Sequence, residues 1–147
     1  MGKFKWMGVL VVLVVLFFVF DPFRGEPPNP KVEAQGKDIP TVQGSFCWDG
    51  LLRNQCVDKV YVDGLDMTKK SKPTVVSSNK KIDISFEDEP ESIEIVRWKD
   101  KQDAEKVTLT GDAVTVPKET GTYAYEIKAK WSNGDGQFAF LVKVVQW

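Results

Sequence analysis

GTYAYEIKAKW, residues 121–131, is the stretch whose reading decides the fold. Tyr123, Tyr125, Ile127, Ala129 and Trp131 occupy alternate positions, with Thr122, Glu126, Lys128 and Lys130 between them. A period of two puts the apolar set on one face of a strand and the charged set on the other. The same pattern returns in QFAFLVKVV, residues 137–145, where Phe138, Phe140, Val142 and Val144 share a face. Asn133-Gly134-Asp135-Gly136 lies between the two runs and reads as a hairpin turn rather than a calcium loop. Upstream, Ile82, Ile84 and Phe86 alternate with Asp83 and Ser85, and Ile93 and Ile95 flank Glu94. Shorter strands are expected at 57–62, 74–77, 107–109 and 113–116. Asp63-Gly64, Ser78-Asn79, Gly111-Asp112 and Gly121 punctuate them. Short strands at this spacing, with no helical periodicity after the N-terminal segment, predict an all-β antiparallel sandwich.

Two short motifs sharpen that expectation. Glu119-Thr120-Gly121-Thr122-Tyr123-Ala124-Tyr125 resembles the acidic-x-Gly-x-Tyr-x-Cys pattern at strand F of immunoglobulin domains. The resemblance implies that the Tyr123 hydroxyl ties a corner back to the backbone. It also makes Trp98 a counterpart of the core tryptophan of strand C. Tyr125 stands where the inter-sheet cysteine would be, so the expectation is an Ig-like architecture without that bond.

The N-terminus is of another kind. Residues 6–20 are uncharged and apolar, preceded by Lys3 and Lys5 in a short segment, 1–5. No small-residue cleavage pattern and no lipobox cysteine follow, so the segment reads as a transmembrane signal anchor rather than a cleaved leader. The positive-inside rule sets residues 1–5 in the cytosol and the rest of the chain outside the membrane. Residues 21–40 hold five of the eight prolines and read as an extended linker. The sandwich is then expected over 41–147.

Composition excludes several activities. The chain has no histidine, so a His-based triad and a His-ligated metal are ruled out. With a net charge of −1 there is no field to hold a polyanion, and nucleic acid is not an expected partner. No catalytic residue, metal site or cofactor is singled out. The acidic run Glu87-Asp88-Glu89-Pro90-Glu91 reads as a solvated connection, and Ser45 and Ser132 have no identifiable base.

The chain's two cysteines, Cys47 and Cys56, bracket WDGLLRNQ. An even pair outside the cytosol predicts a structural disulfide, since redox-active pairs take the tighter C-x-x-C form. Trp48, Leu51 and Leu52 are more apolar than a solvated loop requires. One reading makes them a plug on the end of the sandwich. The other makes Trp48, Leu51, Leu52 and Arg53 a rigid, partner-binding knob.

The series Gly44, Ser45, Cys47, Trp48, then Cys56, Val57, Asp58 is similar to a motif of small, membrane-anchored extracytoplasmic proteins of spore-forming Gram-positive bacteria. The resemblance spans about residues 41–145 and implies location and fold but no activity. The expected role is therefore a non-enzymatic binding or accessory module at the cell envelope, its partner a protein or a wall polymer. The competing expectation is an envelope enzyme, either a thiol–disulfide exchanger or a carboxylate-dependent wall hydrolase.

Overall fold

The computed structural model describes residues 2–20, 25–51 and 54–147, with side chains from Lys5 to Val19 in the first segment. Its elements in chain order are α1 (Gly2–Phe20), β1 (Lys31–Ala34), β2 (Lys37–Asp38), β3 (Thr41–Asp49), β4 (Asn54–Val57), α2 (Gly64–Thr68) and β5 (Thr74–Ser77). There follow β6 (Lys81–Ser85), β7 (Ser92–Trp98), β8 (Ala104–Val107), β9 (Ala113–Thr115), β10 (Gly121–Trp131) and β11 (Gly134–Val145).

The hairpin of β10 and β11 is the spine, paired without a break from Gly121↔Val144 to Trp131↔Gly134. The turn is Ser132-Asn133, and Gly134 already belongs to the strand. Only glycine fits there: a Cβ on Gly134 would stand 2.3 Å from the Cys47 carbonyl oxygen, at a backbone φ of +157°. On either side of the hairpin the larger sheet continues, in the order β4-β3-β11-β10-β7-β8. β5 pairs in parallel with the far end of β11, from Val142↔Thr74 to Val145↔Ser77. A four-stranded sheet, β2-β1-β6-β9, faces it.

The alternation seen in the sequence sets what lies between the sheets. Tyr123, Tyr125, Ile127, Ala129, Trp131, Phe138, Phe140, Val142 and Val144 are all buried in one core with Val32, Ile82, Ile84 and Val114 of the smaller sheet. Tyr125 and Phe140 stack with centroids 4.9 Å apart. Trp131 is the hub of an aromatic cluster, edge-on to Trp48 at 5.4 Å and to Phe86 at 5.2 Å. Its indole donates to the Asp88 carbonyl at 2.7 Å, which pins the acidic connection after β6.

Four expectations are corrected. Within the expected 21–40 linker, residues 21–24 lie outside the described residues, and the remainder belongs to the domain. β1 pairs with β6 through Val32↔Ile84. Val32, Ala34 and Ile39 are core residues, and Pro27, Pro28 and Pro30 are buried. No proline falls between Pro30 and Pro40, and the KVEA that follows Pro30 alternates as a strand does, hidden by its proline-rich neighbours. The Trp98 indole is not in the core. The register Trp98↔Ala124 puts it on the face opposite Tyr123 and Tyr125. The segment expected as a strand at 57–62 leaves the sheet at Val57, and a short helix, α2, follows instead. At the N-terminus a helix forms as expected, exposed from Trp6 to Val19. Among the described residues, however, no helix is long and apolar enough to cross a membrane, so the span expected at 6–20 is not found.

Candidate functional site

Cys47 and Cys56 face each other directly across β3 and β4 and form a disulfide, with 4.0 Å between their Cα atoms. Both side chains are exposed. The bond ties β4, an edge strand, to the sheet. The hairpin tip it closes holds the exposed Leu51, while Leu52 and Arg53 lie outside the described residues. Trp48 is no part of an exposed knob. Strand alternation turns it inward, opposite to Cys47, and it is buried against Trp131. The proposed four-residue binding set therefore loses its anchor, and Leu51 alone stands in solvent among its described members.

The other residues of the GSFCW…CVD motif also have structural work. Gly44 lets two side chains approach: an added Cβ would lie 2.7 Å from Gln137 Oε1 and 2.9 Å from Met67 Cε. The Ser45 hydroxyl accepts from the Lys59 amide at 2.9 Å, and its own proton faces Asp58 Oδ1 and the Lys59 carbonyl. Lys59 Nζ donates to the Gln43 carbonyl. Together these bonds lay the chain after β4 along the rim of β3, where no ladder holds it.

That chain leads to α2, which packs on the outer face of the larger sheet. The contact is organised by Glu126, a buried carboxylate that sequence reasoning had assigned to the solvated side of its strand. Its Oε2 accepts from the Gly64 amide at 3.0 Å and from the Trp98 indole at 3.1 Å, and its Oε1 accepts from Gln137 Nε2 at 2.8 Å. Lys128 Nζ stands 3.7 Å away. Three donors and a neighbouring cation meet the needs of a carboxylate removed from water. Asp63 caps α2, accepting from the Asp66 amide at 2.8 Å. Lys69 donates to Asp66 and holds its carboxyl below the usual range, helped by the Val62 amide.

Beyond α2 the outer face is open. A groove of about 640 Å³ there is lined by Ser45, Ser92, Glu94, Lys128, Lys130 and Asp135 among others. Its carboxylates, Glu94 and Asp135, are accompanied by the ammonium groups of Lys128 and Lys130. At the other end of the sandwich Tyr123 donates to the Glu119 carbonyl at 3.1 Å. Lys99 pairs with Glu119, which raises its ammonium pKa. Tyr125, one position inward, has a fully buried hydroxyl without a hydrogen-bond partner among the described residues. Burial pushes its phenol up, and the neighbouring Arg97 guanidinium pulls the other way. No group of three or more Cys, Asp or Glu placed to hold a metal occurs among the described residues.

Comparison of the chain with family models, curated proteins and solved structures found no match. The site is thus described from its own geometry: a stapled edge hairpin, a carboxylate clasp and a polar open face. The clasp had one sequence signal, since Glu94 and Trp98 share a parity in SIEIVRW, which turns Trp98 toward the outward set. Nothing marked Glu126 as its acceptor.

Proposed function

We propose that this chain is a membrane-tethered, extracytoplasmic binding or accessory module of the cell envelope, without catalytic activity. The carrying observation is α1. Four successive residues, Leu13, Val14, Val15 and Leu16, cover the whole circumference of the helix, and all are apolar and exposed, so this part of it has no polar face to turn to water. A helix apolar all round is stable only in an apolar surrounding, and lipid is the one that leaves the sandwich free. The Cys47–Cys56 disulfide suits an oxidising compartment outside the cytosol. An Ig-like architecture is supported by the strand order: β1-β6-β9 opposite β11-β10-β7-β8 corresponds to A-B-E opposite G-F-C-C′, with the corner tyrosine at the start of F. Residues from β2 to α2 are inserted between A and B, and the disulfide serves that insertion. The partner is an envelope protein or a wall polymer.

The test is in-cell crosslinking of the full chain, with protease added to intact cells beforehand. A domain digested from outside, remaining with the membrane fraction when intact, and carrying a reproducible crosslinked partner supports the reading. A domain protected from protease in intact cells, or released with soluble protein, sinks it.

One observation favours a second reading, thiol–disulfide exchange: both cysteine side chains are exposed. It requires the bond to open under mild reductant in the folded state, which thiol alkylation under native conditions measures directly.

A further inference from the structure

Trp147 is 93% exposed, and beside it lies a pocket of about 370 Å³ lined by Gln35, Lys37, Val75, Ser77 and Trp147. The pocket sits where the β1–β2 turn of the smaller sheet meets β5 of the larger. Gln35 and Gly36 both have positive φ, +52° and +73°, as a two-residue hairpin loop requires. For glutamine that backbone is uncommon, and it aims the side chain at β5. Gln35 Oε1 accepts from the Ser77 amide at 2.8 Å, and Nε2 donates to Ser77 Oγ at 3.1 Å. The amide is fixed before any ligand arrives. One Nε2 proton and the Ser77 hydroxyl proton are left to donate outward.

We propose that this pocket binds a saccharide ring carrying an acidic substituent. The apolar face of the ring stacks on the Trp147 indole and touches Val75. Its hydroxyls meet the Gln35 amide and the Ser77 hydroxyl, and its acidic group meets Lys37. Lys37 is the charged side chain that lines the pocket, and no Asp or Glu side chain is among its lining residues. The outward amide of Ser77 is already taken by Gln35, so an extended peptide cannot add to β5 at that point. An exposed indole beside preorganised amide and hydroxyl donors suits a ligand with one apolar face and a polar rim. The inference rests on the envelope reading and names the wall polymer's chemistry as its ligand.

The test is NMR titration of the full chain in lipid nanodiscs, following the Trp147 indole N–H and the Gln35 side-chain amide. The probes are a neutral tetramer of N-acetylglucosamine and a tetramer alternating N-acetylglucosamine with glucuronate. Both should shift these signals, the acidic one binding about threefold more tightly, as one exposed ion pair allows. Lys37→Gln should remove that difference. Trp147→Ala should weaken both about tenfold or more, and at so exposed a position it leaves the fold intact. Unmoved signals at millimolar probe, or unchanged affinity in Trp147→Ala, overturn the proposal. A partner still crosslinked in cells would then leave the envelope reading standing, whereas a domain inside the cell would remove both.

Discussion

At the residue scale, two buried polar groups in β10 have opposite fortunes. Glu126 has three donors, and removing it orphans the Gly64 amide, the Trp98 indole and the Gln137 amide. Glu126→Ala is expected to cost about 2–4 kcal/mol, read as a lower urea midpoint, with α2 amides losing exchange protection first. Tyr125 buries a hydroxyl without a partner. Tyr125→Phe removes that desolvated group and keeps the ring stacked on Phe140, so stability should hold or rise by about 1 kcal/mol. A large loss in the same urea titration would mean that the hydroxyl is satisfied in solution. Glu126 reads in the sequence as one more charge in the row Glu126, Lys128, Lys130. Its burial comes from a helix arriving from residues 64–68, which period-two reading cannot foresee.

At the element scale, β4 is an edge strand held by one ladder, to β3, and α2 is held by none. Cys47 and Cys56 are nine positions apart, so their bond removes about 2.5–3 kcal/mol of freedom from the unfolded chain. Cys47→Ser with Cys56→Ser should lower the unfolding free energy by about that much and speed hydrogen exchange in β4 before β10. For α2, the ion pair of Asp66 and Lys69 gives a pH signature. The folded Asp66 pKa is depressed, so its contribution is complete above the ordinary carboxylate value of about 3.9 and lost as pH falls through the lower folded value. The Lys69 pKa is raised, so its share is present below the ordinary ammonium value and lost as pH rises through the folded one. The melting temperature of the native chain minus that of Asp66→Asn should therefore shrink as pH drops below about 4 and be flat near neutrality. A difference unchanged down to strong acid would show that the pair adds nothing. The Cys pairing was legible because a chain with two cysteines has one way to pair them. The helix was not, because five residues carry no period.

At the scale of the whole molecule, the decisive finding is that the domain begins within the proline-rich stretch, before Pro40. A chain shortened to start at Thr41 would lose β1 and β2 with the buried Val32, Ala34 and Ile39. Burial of a large aliphatic side chain stabilises by about 1.5–3 kcal/mol, and the loss would also leave β6 as an open edge. Such a chain should unfold without cooperativity or aggregate, whereas one starting at Gly25 should keep a sharp transition by circular dichroism. Equal melting of the two would restore residues 25–40 to a linker.

What the sequence determined by itself is the set of inward faces. Strand side chains alternate by local stereochemistry, so Tyr123 to Trp131 and Phe138 to Val144 announced their burial without any partner. The hairpin was legible from the same alternation, and the disulfide from there being two cysteines to pair. Tertiary structure decided which distant segments meet: α2 over Glu126 and Trp98 on the outer face, Pro27 against Gly136 on the inner one, and the β1–β2 turn reaching Ser77 through Gln35. Those contacts join residues dozens of positions apart, and no periodicity along the chain encodes which distant segment will meet which face.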